Sequence, residues 1–135
     1  MSDITARGHD GLRIVRSAPK KPDVISETGV ESEMLLQSQS LFLKRESVAP
    51  SSRGIRHLHT TASIIVVLQG RVRVNYGHHF EHVDHAIPGD FILIPAMMPH
   101  QPVNESGTEP IVCLVVRDAP FDDLIPYEDN LTRAA

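Results

Sequence analysis

The chain has 135 residues, about the length of one domain; 41% are apolar, enough for one core, and 22% are charged, which excludes neither folding nor solubility but does exclude global disorder. A formal net charge of -4 and a pI near 6.0 provide no basic face for nucleic acid or an anionic membrane. With Cys113 as the single cysteine, no intrachain disulfide can form.

Residues 1–33 read as an N-terminal arm. Met1 to Gly11 is polar and lacks the apolar stretch of a secretory leader, so a cytoplasmic protein with a mobile first ten residues is expected. No apolar run approaches the roughly 20 residues that cross a bilayer, and no membrane partner is expected. Leu12 to Val15 is a candidate first strand; 17–33, with Pro19, Pro22, Gly29 and many charges, reads as loop. From Met34 the chain changes to short runs rich in Val and Ile. These predict strands near 34–37, 40–46, 54–59, 63–69, 71–76, 79–86, 90–95, 99–103 and 110–117. Gly70, Gly77, Gly89 and Gly107 separate the runs, and the prolines clustered from Pro88 to Pro110 exclude a long helix there. Val72-Arg73-Val74-Asn75-Tyr76 alternates as a half-buried strand does. Many short strands imply an all-β sandwich or barrel over 34–117. Cys113, inside the apolar run Ile111 to Val116, reads as a small core side chain. The acidic tail 118–135 carries Phe121, Leu124, Ile125 and Tyr127 as anchors onto the barrel or a second subunit.

Eight histidines are the unusual feature of the composition. His57 and His59 are two apart in an expected strand, so their rings leave the same face side by side. An isolated pair of this kind is a weak signal. His100 follows a second strand, Phe91 to Ile94, and would complete a face of three imidazole nitrogens. His78, His79, His82 and His85 form a second cluster after the Gly77 turn; they read either as a second metal site or proton relay, or as a polar edge strand, and the edge strand is preferred. His9 falls in the arm.

The spacing of these residues resembles the cupin superfamily, whose two motifs run G-x5-H-x-H-x3,4-E-x6-G and G-x5-P-x-G-x2-H-x3-N. Gly89, Pro95, His100 and Asn104 match the second; His57, His59 and Gly70 match the first. The resemblance covers about 50–117 and implies a cupin-type double-stranded β-helix, or jelly-roll, barrel. It implies one divalent transition metal held by His57, His59 and His100. The family's glutamate is replaced by Ser63, and no acidic residue occurs from Arg53 to Phe80. Met97 replaces the second motif's glycine, and Ser51 or Ser52 stands near the first motif's opening glycine.

Three neutral imidazoles suit Fe(II), Zn, Cu, Ni or Mn. Resemblance to three-histidine iron dioxygenases favours Fe(II) and a dioxygenase-type reaction on a small anionic or chelating molecule. The alternatives are a metal-dependent isomerase, lyase or cyclase, and a ligand-binding cupin without activity. Strand parity puts Ser63, Ile65 and Val67 on the inner face. Ser63 is expected to leave a coordination position open and to hydrogen-bond substrate. Arg56 is a candidate anion clamp and Gln101 a polar partner of the third histidine, with Asn104 beside it. Arg73 is a weaker clamp candidate, and Met97 and Met98 are expected to line the mouth. A homodimer built from the N-terminal strands or the tail is expected, with no nucleic-acid partner.

Overall fold

The computed structural model describes residues 5–7, 11–16, 22–25 and 28–128. Thirteen strands and no helix occur among them. Strands β1 (Thr5–Arg7) and β2 (Arg13–Val15) form a hairpin. Strands β3 (Val24–Ile25), β4 (Val30–Gln37), β5 (Phe42–Val48), β7 (Ser63–Gln69), β10 (Phe91–Ile94) and β12 (Ile111–Arg117) make a six-stranded antiparallel sheet in the order β10-β7-β12-β5-β4-β3. The facing five-stranded sheet has the order β13-β6-β11-β8-β9, from β6 (His57–Leu58), β8 (Val72–Tyr76), β9 (His82–Ala86), β11 (His100–Val103) and β13 (Ile125–Pro126). This is the jelly-roll barrel that the motif spacing implies.

Two expectations change. The loop reading of 17–33 gives way, among the described residues, to β3 and to β4, which begins at Val30. The charges there misled because β4 carries them in sheet pairs: Glu33 lies opposite Arg45 in register and accepts a 3.0 Å hydrogen bond from it. The strand expected over 79–86 is shorter, since Gly77 to Phe80 forms the turn, with Gly77 O accepting from Phe80 N. Within the first ten residues, expected to be mobile, Thr5–Arg7 forms β1 paired with β2; residues 1–4 and 8–10, His9 among them, lie outside the described residues, as do 17–21, 26–27 and the tail after Glu128.

Alternation decides what faces inward. In β12, Ile111, Cys113, Val115 and Arg117 are buried while Val112, Leu114 and Val116 face out. With Val48, Val67, Val72, Val74 and Ala86, Ile111 and Cys113 of this series form one core between the sheets. Gly70 turns the chain from one sheet into the other at φ +79; a Cβ there would meet Pro110 O at 2.6 Å, so only glycine fits. Asn104 closes the neighbouring corner, on the same segment leading into β12. Its Nδ2 donates to the carbonyls of Val48, Ala49 and Glu109, and its Oδ1 accepts from Ser106 N.

Candidate metal centre

The pairing of β6 with β11 sets His57 directly opposite His100 in register. His59 follows two residues after His57 and returns to the same face. All three rings are buried, with centroids 4.3 to 5.4 Å apart, and their ligand nitrogens lie within 4.8 Å of one another.

Backbone carbonyls orient each ring. His57 Nδ1 lies 2.7 Å from Ile55 O, His100 Nδ1 lies 2.8 Å from Met98 O, and His59 Nδ1 pairs with Asp123 O in the tail. A carbonyl can only accept, so each Nδ1 carries the proton and each Nε2 presents a lone pair. Burial pushes all three imidazoles down from 6.5 to about 4, so they are neutral at pH 7. A converging set of neutral nitrogens with fixed tautomers fits a divalent transition metal.

The turn that delivers His100 departs from the family pattern at Met97. This residue holds φ 65, the left-handed conformation that glycine favours, and its N–H donates to His59 O at 2.7 Å. The position thus adopts a glycine-like conformation without glycine, and the turn is tied to His59.

The rings stand in the wall of a cavity of about 350 Å3. Val48, Ile65, Val72, Val74, Ile94, Ile111 and Val115 make most of its lining apolar. Cys113 also lines it, but burial and then the charge of Glu46 push its thiol up to about 12, so it stays protonated. One side of the cavity is charged. Lys44 Nζ lies 2.8 Å from Glu46 and 2.9 Å from Asp122, and Arg117 pairs through Nε with Asp122 and through Nη1 with Ser63 Oγ at 3.0 Å. Burial pushes Asp122 up, but Lys44 and Arg117 outweigh it and leave the carboxyl below its ordinary value.

Ser63 is buried in the inner face, level with Arg117 across the β7–β12 pair. Arg56 and Gln101 are not brought into the cavity. Each is next in sequence to a metal-site histidine, so strand alternation turns it to the other face. Arg56 packs its guanidinium 4.5 Å from the Phe80 ring centre. Gln101 donates to Gly54 O at 3.0 Å and accepts from Asn75 at 3.2 Å, tying strands together behind the site. Arg73 pairs with Glu105 on the surface. Met97 is exposed, and Met98 lines a neighbouring cavity instead. His82 and His85 sit on the exposed edge strand β9, where His85 pairs with Glu105, and among the described residues no metal-binding group forms there. The residues that the sequence reading missed are Lys44, Glu46, Arg117 and Asp122.

The chain belongs to the cupin domain family, whose sequence model matches residues 44–117, more than half of its length. Solved structures with the same fold include the polyketide cyclase RemF from Streptomyces resistomycificus, at TM-score 0.69 and 21% identity over 86% of this chain and 89% of that one. A recombinant oxalate oxidase in complex with glycolate matches at TM-score 0.66 and 17% identity, over 78% of this chain and 59% of that one. The Bacillus subtilis oxalate decarboxylase, studied for its Mn(II) centres, matches at TM-score 0.67 and 18% identity, over 85% of this chain and 34% of that one. No curated protein matches the chain in sequence. At these identities the likeness establishes the fold. No helix among the described residues is long and apolar enough to cross a membrane.

Proposed function

We propose that this cupin is a metal-dependent enzyme acting on a small anionic or chelating molecule inside the barrel, with a three-histidine centre of the dioxygenase type that uses Fe(II). The observation that carries this reading is the convergence of three neutral, carbonyl-oriented imidazoles on one point of a cavity large enough for a small molecule. A bound divalent ion would supply Lewis acidity and a template for the reactants. His57, His59 and His100 would hold it, the apolar lining would exclude water, and Ser63 would contribute no negative charge. Zn, Cu, Ni and Mn suit the same nitrogens. A second reading, a metal-dependent isomerase, lyase or cyclase, is favoured by Glu46. This carboxylate lines the same cavity, its charge acts on His57 and His100, and it could carry a proton in a reaction that needs no oxygen. Elemental analysis of protein purified without added metal, followed by oxygen-electrode assays with diketones and thiols, separates the two. Bound iron with substrate-dependent oxygen uptake is the expected result. Tightly bound zinc without oxygen uptake would move the assignment to the second reading, and protein that takes up no metal would leave only ligand binding.

We further infer that two copies pair through the outer face of the six-stranded sheet. Phe91 is 74% exposed and Leu93 69%, and register sets them beside Val66 and Ile64, then Leu114 and Val116. Arg45, the register partner of Leu114 and ion-paired with Glu33, bounds these rows on one side. The exposed apolar rows amount to on the order of 500 Å2, at the upper end of what a soluble monomer shows and most of the roughly 800 Å2 per partner that a standard interface buries. A second copy supplies the same apolar rows and closes the pair by two-fold symmetry. Light scattering at micromolar concentration is expected to give twice the 14.9 kDa chain mass, and Phe91→Glu with Leu93→Lys should return a folded monomer. A wild-type monomer at that concentration refutes the pairing.

A further inference from the structure

We propose that Arg117 recognises the carboxylate of an amphipathic substrate whose apolar body lies against the valine and isoleucine wall of the barrel; this rests on the metal-centre reading above and names the substrate class for it.

Arg117 is the last inward residue of β12 and is 3% exposed. A guanidinium carries five N–H donors in a planar fork. Nε is engaged by Asp122 and Nη1 by Ser63 Oγ at 3.0 Å, whereas Nη2 has no hydrogen-bond partner among the described residues. Unlike Thr61 Oγ1 and Asp123 Oδ1, Nη2 is not sealed away without a partner, so it is open to the cavity that Arg117 lines. The fork lines the same cavity as the three histidines. Ser63 matters here through what it is not. It occupies the place of the motif's glutamate, and a carboxylate there would meet the fork with its own two oxygens. A serine hydroxyl takes one bond and leaves the rest of the fork to a ligand.

Charge gives the same answer. Lys44 and Arg117 are balanced by Glu46 and Asp122, so the charged wall is neutral overall. Three neutral imidazoles add nothing to cancel a divalent ion. A ligand bound beside both the ion and Arg117 is therefore stabilised by negative charge, and a carboxylate fits a guanidinium edge with two parallel bonds. Apart from Thr28 and Ser32, most of the remaining lining, including Ile65, Val72, Val74, Ile94 and Ile111, is apolar and suits hydrocarbon. The size of the cavity, about 350 Å3, limits the whole to a small molecule. A 2-oxo or 2-hydroxy acid with a short alkyl chain has this shape and polarity.

The test uses the Co(II)-loaded protein, whose visible absorption reports ligands that reach the metal. The probes are 2-oxopentanoate, which carries a carboxylate and a propyl chain, and azide, which needs the metal alone. Arg117→Gln combined with Asp122→Asn removes the fork without stranding a buried carboxylate and keeps the net charge of the cavity. This variant is expected to bind Co(II) at the wild-type stoichiometry, to bind azide as the wild type does, and to bind 2-oxopentanoate about tenfold more weakly or worse. Arg117→Lys keeps the charge but loses the fork and should fall between the two; it decides the matter if the double variant does not fold. Unaltered 2-oxopentanoate binding in the variants, equal weakening of both probes, or no 2-oxopentanoate binding by the wild type at millimolar concentration overturns the proposal while the metal centre stands. Failure of the wild type to take up Co(II) is seen before any anion is added, and it overturns the metal-centre reading itself.

Discussion

Replacing His100 with alanine is expected to abolish metal binding and leave the barrel folded. His100 supplies one of three converging nitrogens, and its tautomer is fixed by Met98 O at 2.8 Å. Changes to groups that merely orient a ligand weaken metal binding about 10- to 100-fold, so loss of the ligand itself should exceed that range. Stability should respond far less. The ring stands in the wall of an existing cavity, so its removal enlarges that space and does not hollow a packed core. The Met98 carbonyl loses one partner, a cost of about 1 kcal/mol. His57→Ala should behave in the same way, because His57 is the register partner of His100. His85→Ala provides the contrast: on the edge strand its ring pairs with Glu105, outside the cavity of the three histidines, and its loss should leave metal uptake unaltered. Titration calorimetry with Zn(II), with thermal denaturation of each metal-free variant, makes the comparison. A His100→Ala protein that still takes up one equivalent, or a His85→Ala protein that takes up none, would contradict the assignment of the centre.

Much of this centre was legible in the sequence because it depends on local spacing. Two residues apart on a strand means one face, which brings His57 and His59 together without any knowledge of the fold. The glycine, proline and asparagine spacing around His100 placed the third ring. The same parity rule would have excluded Arg56 and Gln101, each an immediate neighbour of a site histidine, and would have included Arg117. In Ile111, Cys113, Val115 and Arg117 the inward series ends on a charge, a pattern visible in the sequence. Adjacency in sequence to a cavity histidine does not bring a side chain into the cavity; phase along the strand does. Lys44 and Glu46 were less accessible. Their strand, Phe42 to Val48, carries polar residues on both faces, so alternation cannot say which side is the interior. Asp122 lay beyond local reasoning altogether. Its place between Lys44 and Arg117 depends on the tail folding back to pair β13 with β6, a contact across more than sixty residues of chain. The strands in 24–33 were missed because charged side chains were read as loop, although the sheet pairs one of them, Glu33, with Arg45 and sets Glu31 opposite Ser47.

The metal-free protein is expected to lose several kcal/mol of stability as the pH falls from 6.5 toward 4. In the folded state the three imidazoles have pKa values of about 4, lowered first by burial; in the unfolded chain they return to 6.5. Between those limits the unfolded chain binds protons at these positions and the folded protein does not. Acid therefore draws the equilibrium toward unfolding; the loss begins near pH 6.5 and is complete near pH 4, where the folded site also protonates. For one group, a fall from 6.5 to about 4 corresponds to roughly 3 kcal/mol. The rings lie 4.3 to 5.4 Å apart, so their charges repel and the three titrate as a coupled group. Two such contributions already approach the stability of about 5–15 kcal/mol typical of a small domain. Asp122 and Asp123, whose carboxyls are held below their ordinary 3.8, contribute to acid sensitivity only beneath that value and leave the histidine window separate. A bound divalent ion needs the imidazoles unprotonated, so loading with Zn(II) should carry the full melting temperature further into the window. Removing one ring, as in His100→Ala, should make the metal-free protein less sensitive to acid. Thermal denaturation of chelator-treated protein at half-unit steps from pH 7.5 to 4.5 gives the curve. A melting temperature that stays flat across that range would show that the three rings are not held neutral by burial, and the metal centre would lose its electrostatic basis.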